Sequence, residues 1–192
     1  MGTSVEAIRV GCSASAALVR ITGRAAAERA RDFDVAVRRM ASEGIAEVHL
    51  DLAGCPLMDS TFCGTLAGMA EERVRGVPWV RFVLHGARAR ILDGLANLEV
   101  LPLLRVAEAG EPFPVEEPLR DLPRGLASKQ DMGWFCLRAH DNLGRLGEAN
   151  VERFAELRRM LSEELARNAP DGAAVSTGPH GPTPAAPGPD AG

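Results

Sequence analysis

Leu57-Met58-Asp59-Ser60-Thr61-Phe62-Cys63-Gly64-Thr65-Leu66 is a polar corner between an apolar strand pattern and an amphipathic helix pattern. The run before it, Glu47-Val48-His49-Leu50-Asp51-Leu52, reads as a strand with Val48, Leu50 and Leu52 on one face, and Ala53-Gly54-Cys55-Pro56 reads as a loop, because Gly and Pro punctuate regular structure. A helix is then predicted to open at Asp59. Asp is a favoured N-cap, since its carboxylate accepts a backbone N–H, and the hydroxyls of Ser60 and Thr61 then lie at the positive end of the helix. A phosphoryl group placed there meets free N–H donors and a favourable dipole.

Working outward, the helix is predicted to run to about Val74, with Phe62, Leu66, Ala70 and Val74 on one stripe and Glu71, Glu72, Arg73 and Arg75 in solvent. Gly64, Ala67 and Gly68 allow close approach to the sheet or to a partner. Gly76-Val77-Pro78 breaks the helix, and Trp79–Leu84 follows as an apolar, interior strand. Ala87–Asn97 reads as a short helix, and Val100–Val106 as a last strand in which Pro102 limits where the ladder begins. Upstream, Val5–Val10 and Ala16–Thr22 form a predicted hairpin across Gly11-Cys12-Ser13. Ala26, Ala30, Phe33, Val37 and Met40 then recur at helical spacing until Gly44. The order strand-strand-helix-strand-helix-strand-helix-strand implies an α/β sandwich with a mixed sheet of four to five strands and helices mainly on one face.

The 192 residues carry a net charge of −4, with 46% hydrophobic and 25% charged side chains. This suits one globular domain with extensions and gives no electrostatic footprint for nucleic acid or an anionic membrane. No apolar run reaches the roughly 18–20 residues of a membrane span, so the expected location is cytoplasmic. Cys12, Cys55, Cys63 and Cys136 lack C-x-x-C spacing and are expected as reduced thiols without metal or disulfide.

From Ala107 the texture changes. Glu108–Pro123 contains Pro112, Pro114, Pro118 and Pro123 and reads as an extended connector. Ser128-Lys129-Gln130-Asp131 resembles a capping box, and behind it Met132, Phe135 or Cys136, Ala139, Leu143 and Leu146 follow helical spacing. After a turn near Gly147-Glu148-Ala149-Asn150, Val151, Phe154, Leu157, Leu161 and Leu165 make a second stripe. These are two helices of a hairpin with more apolar surface than it can bury alone; it either folds back on the domain as a lid or pairs with another copy or a partner helix. Trp134 is expected in the core. Ala169–Gly192 holds six Pro and five Gly and only one Val, a composition expected to be disordered.

The order of elements, the Val48-His49-Leu50-Asp51-Leu52 strand and Met58-Asp59-Ser60-Thr61 at a helix opening resemble the STAS domain of bacterial anti-sigma factor antagonists. The resemblance covers about residues 4–108, so the implied organisation is a STAS domain over 1–108, a Pro-rich connector over 109–127, a helical hairpin over 128–168 and a tail over 169–192. In that family an Asp-Ser-Ser/Thr-Gly motif opens the second helix, and its first Ser is phosphorylated by a kinase that also sequesters a sigma factor. The resemblance implies Ser60 as acceptor and Thr61 as minor acceptor, with Asp59, Phe62 and Gly64 completing the partner-binding corner. It implies a serine kinase/anti-sigma factor and a phosphatase as partners, and no cofactor on this chain. Phe62 departs from the Gly of many members and is expected to alter the surface a partner reads.

Catalysis by the chain itself finds little support. There is no G-x-x-x-x-G-K-[ST] loop, no G-x-S-x-G elbow and no H-E-x-x-H. His49 reads as a structural histidine, and His49, His85, His140 and His180 are scattered, so no Ser–His pair with Ser60 is expected. A response-regulator receiver would use Asp51 as acceptor. Its acidic pair and late Lys are missing, because the first corner is Gly11-Cys12-Ser13 and Lys129 is the only lysine. Asp51 is better read as a loop-organising acceptor.

Overall fold

Six strands pair into one mixed sheet in the computed structural model, which describes residues 6–74, 80–115 and 118–168. The expectations for Val5, Gly76-Val77-Pro78, Trp79, the side chains of Arg73, Val74 and Arg75, and the tail 169–192 lie outside the described residues. In chain order the elements are β1 (Ala7–Cys12), β2 (Ala16–Thr22), α1 (Ala27–Ser42), β3 (Glu47–Asp51), α2 (Ser60–Val74), β4 (Arg81–His85), α3 (Ala89–Asn97), β5 (Arg105–Val106), β6 (Arg120–Asp121), α4 (Lys129–Gly144) and α5 (Glu148–Arg167). The α/β class, the mixed sheet and the C-terminal helical pair follow the sequence expectation.

The strand order is β5-β4-β3-β2-β1-β6. β1 and β2 are an antiparallel hairpin, whereas β2, β3, β4 and β5 run parallel, each joined to the next by a helical crossover. Strand period puts Ile8, Val19, Ile21, Val48, Leu50, Phe82 and Leu84 on one face, where they form a continuous core with Phe33 and Val37 of α1, Phe62 and Leu66 of α2, and Leu95 of α3. The rings of Phe33 and Phe62 lie 5.0 Å apart at the centre of this layer.

Two sequence expectations change at the ends of the sheet. The predicted strand Val100–Val106 shrinks to Arg105–Val106, because Leu101–Leu103 wind into a 3-10 turn around Pro102, whose ring removes a ladder donor. Conversely, the sheet has six strands rather than four or five, since Arg120–Asp121 of the Pro-rich segment add antiparallel to β1. The connector therefore begins at one edge of the sheet and returns at the other. Phe113 sets its ring 4.8 Å from that of His85, and Val115 and Leu119 come close over Gly11. The segment is a strap over the second face of the sheet, not a free spacer.

Beyond β6 the chain crosses α1. The buried Arg29 guanidinium holds the Leu122 carbonyl at 2.9 Å and pairs with Asp32, whose other oxygen accepts the Gly125 N–H at 2.9 Å. Ser128 then caps α4, accepting the Asp131 N–H at 3.0 Å while Asp131 accepts the Ser128 N–H at 3.3 Å, the reciprocal capping box expected from the sequence. α4 packs across α2 and α1, and α5 packs on α4. Phe135, Leu143 and Phe154 join the main core, so the hairpin folds back on its own chain. The open alternative of pairing with another copy is not needed to bury these residues. Trp134, expected in the core, is instead 45% exposed, while its neighbour Phe135 takes the buried position on α4. The stripe of α5 is likewise buried only at Phe154 and Leu165, with Val151 and Leu157 partly in solvent. Among the described residues no helix is long and apolar enough to cross a membrane.

Small residues decide how closely α4 seats. A Cβ on Gly64 would stand 2.1 Å from the Ala139 carbonyl oxygen, and one on Gly68 would stand 2.1 Å from Asn142 Nδ2. Gly64→Ala is therefore expected to lower stability by about 1–3 kcal/mol, since overpacking against backbone cannot relax cheaply. Gly94→Ala, in α3 with open space around it, is expected to raise stability by about 0.5–1 kcal/mol. Urea unfolding of the two variants beside the parent protein checks both signs.

Candidate functional site

The corner at Asp59 is built by a short parallel bridge and one carboxylate. Ala25 and Met58 pair outside the main strands, with the Ala25 N–H donating to the Leu57 carbonyl and the Asp59 N–H to the Ala25 carbonyl, both at 2.9 Å. This clamps the entry of α1 beside the entry of α2. Asp59 Oδ1 then accepts the Phe62 N–H at 2.9 Å, the N-cap predicted from the sequence. Its Oδ2 accepts the Ala27 N–H at 2.8 Å, in the first turn of α1, whose own N-cap residue Ala26 has no side chain to do so. One carboxylate thus caps two helices. A capping residue donated from another element leaves no local motif, so sequence could show only the first half.

Ser60 is the first residue of α2 and is partly exposed. Its Oγ lies 3.0 Å from Nε2 of His140, a residue of α4 eighty positions away. The expectation that Ser60 has no histidine partner is therefore corrected: helix packing across Gly64 and Gly68 brings the two together, and no local spacing encodes it. His140 Nδ1 lies 2.8 Å from the Cys136 carbonyl. A carbonyl only accepts, so Nδ1 carries the proton in the neutral ring, Nε2 offers its lone pair, and the Ser60 hydroxyl donates to it. His140 is 2% exposed and its ring stands 4.8 Å from that of Phe154. Burial pushes its pKa down, against the opposing pull of the Cys136 carbonyl, Asp59 and Asp141.

The other expected corner residues divide sharply. Thr61 is buried, with Oγ1 3.9 Å from the Cys136 thiol and its carbonyl accepting the Thr65 hydroxyl at 2.8 Å. Phe62 is 0% exposed, inside the core against Phe33. The expectation that Phe62 alters a partner-facing surface is corrected on that ground, because helical period turns the residue toward the sheet. Gly64 lies under Ala139, and its carbonyl accepts Asn142 Nδ2 at 3.0 Å. Asp59 and Ser60 remain as the partly exposed polar groups of the motif.

Chemically, the corner holds a hydroxyl against a neutral imidazole beside a carboxylate. Burial and Asp59 push the nearby Cys63 thiol up to about 12, and burial raises Cys136, so both favour the protonated thiol. Asp51 takes the loop role expected of it, with Oδ1 accepting the Ala53 N–H at 3.1 Å and Oδ2 bound to Arg20 at 2.7 Å. Among the described residues, the side chains grouped closely enough to hold a metal ion are His49, His85 and Glu111, on the opposite face of the sheet.

Asp59→Ala is expected to cost roughly 1–2 kcal/mol for the lost α2 cap and a similar amount for the unpaired Ala27 N–H. Asp59→Asn, which keeps only one of the two acceptor oxygens and turns an NH2 toward the other backbone N–H, is expected to lose at least half of that in urea unfolding. The histidines set a pH dependence. Folded His140 and His85 bind their protons less tightly than the value of 6.5 they would have when unfolded, chiefly through burial. The unfolded chain therefore takes up more protons below that pH, so this contribution is complete above 6.5 and declines as pH falls through and below it. Urea midpoints measured from pH 8 to pH 5 should drop, and His140→Gln should flatten the slope.

No family model matches this chain, and no curated protein matches it. Among solved structures, it is similar to that of the anti-sigma factor antagonist SpoIIAA in its unphosphorylated form, with 13% sequence identity, a TM-score of 0.44, and coverage of 53% of this chain and 89% of that one.

Proposed function

We propose that the chain is a non-enzymatic switch protein of the anti-sigma factor antagonist type, whose Ser60 is phosphorylated by a serine kinase/anti-sigma factor. The unmodified protein binds that partner and frees the sigma factor; a phosphatase resets it. The observation that carries this reading is the placement of the Ser60 hydroxyl, partly exposed at the first residue of α2 and bonded to neutral His140 at 3.0 Å. Phosphorylation would remove the proton that Ser60 donates and add a charge of about −1.5 to −2. The His140 lone pair then loses its donor unless the ring protonates and turns to the phosphoryl oxygens. Modification at this hydroxyl therefore reaches α4 as well as the outer surface.

A second reading, a STAS scaffold or transport-complex accessory that docks without phosphorylation, is favoured by one observation: α4 already covers Thr61 and Gly64. Peptide mass spectrometry of the protein from its own host separates the two. The switch predicts a phosphoryl group on the Ser60 peptide in growing or stressed cells, and a well-covered peptide that is never modified rejects it. Ser60→Ala should then hold the partner kinase constitutively, and Ser60→Asp should weaken it by about a hundredfold, equivalent to roughly 2.7 kcal/mol. The scaffold predicts no change with either variant.

A further inference from the structure

We propose that His49, His85 and Glu111 form a binding site for one divalent transition-metal ion of the zinc class, on the face of the sheet turned away from α1, α2 and α3. β3 and β4 pair in register with His49 opposite Val83 and Asp51 opposite His85. The two imidazoles are thus diagonal neighbours on one face, with ring centroids 5.0 Å apart and His49 Nδ1 2.7 Å from His85 Nε2. The strap brings Glu111 over them, so that one ligating atom of each residue lies within 4.8 Å of the others. Both histidines are buried.

The surroundings orient these groups as ligands. His49 Nε2 lies 2.8 Å from Glu47 Oε1, and a carboxylate in that place keeps the proton on Nε2 and turns the Nδ1 lone pair toward His85. Such a carboxylate behind a histidine is the usual outer partner of a metal-bound imidazole. Glu111 is held the same way. Arg105 donates to both of its oxygens, at 2.8 and 2.5 Å, and the Glu108 N–H donates to Oε2 at 3.1 Å. Oε1, with a single donor among these, retains a lone pair. Phe113 closes the apolar side against His85.

Without metal, the two rings share one hydrogen bond, His85 Nε2–H donating to His49 Nδ1. That bond has no need of Glu111, whereas a metal ion accounts for all three donors converging. When the ion enters, the His85 proton moves to its Nδ1, both rings stay neutral, and the nitrogens separate to about 3.3 Å, as tetrahedral bonds of about 2.0–2.1 Å require. Two imidazoles and one carboxylate favour zinc, cobalt or nickel over magnesium or calcium, and three protein ligands leave a fourth position for water. The ion would fasten the strap to β3 and β4.

The test uses the full chain, reduced and stripped with a chelator, titrated with Co(II). One equivalent should bind, with the visible bands of a four- or five-coordinate nitrogen and oxygen site and no near-ultraviolet band from thiolate. Zn(II) should displace the colour one for one and raise the melting temperature. Glu111→Gln, on the strap, and His85→Gln should each weaken binding by about tenfold or more, by analogy with the effect of losing even an outer-shell partner, while Cys12→Ser leaves it unchanged. Circular dichroism confirms that each variant folds, and Glu111→Gln alone decides if His85→Gln does not. Absence of uptake by the folded parent protein overturns the proposal. So does a thiolate band, or uptake undiminished in any folded ligand variant.

Discussion

The carboxylate of Asp59 ties the entries of two helices together. It accepts Phe62 N–H with one oxygen and Ala27 N–H with the other, and the Ala25–Met58 bridge holds the two chain segments at the separation this requires. Helix ends leave backbone donors that must be satisfied wherever water is excluded. Here α1 begins without a capping side chain of its own, so its angle to α2 depends on a residue more than thirty positions away. The position of Ser60, one residue after Asp59, is inherited from that constraint.

The second determinant is the glycine track of α2. Gly64 and Gly68 present bare backbone to Ala139 and Asn142, leaving no room for a Cβ where α4 seats. The buried Asn142 amide bonds to the Gly64 carbonyl, and the same seating delivers His140 to Ser60. The C-terminal helices are in this respect part of the corner and not an appendage to it. A residue's access to partners is settled by what its own chain lays over it: Thr61 and Gly64 are covered, while Asp59 and Ser60 keep a solvent-facing side.

The opposite face of the sheet obeys a different logic. Helices bury the first face, and the Pro-rich strap covers the second by leaving β5 at one edge and returning as β6 at the other. Such a segment has few apolar residues with which to hold itself down. Phe113 and Val115 contribute packing, and Glu111, fixed by Arg105, brings charge to the buried histidine pair. The strap and the histidines are therefore best understood together, since each supplies what the other lacks.

Element type, element order and the α2 cap were legible in the sequence because they rest on local chemistry: period-two and period-3.6 apolar patterns, Gly and Pro punctuation, and side chains that bond within three residues, as Asp59 and Ser128 do. The Asp-Ser-Thr corner and the helical hairpin were readable on the same terms. Only the tertiary structure decided that Phe62 points into the core, that Trp134 does not, that the connector closes the sheet as a sixth strand, and that His140 meets Ser60 while His49 meets His85. Those outcomes depend on how surfaces far apart in the chain fit together, and the steric detail of a Gly64 facing Ala139 has no counterpart in any local pattern.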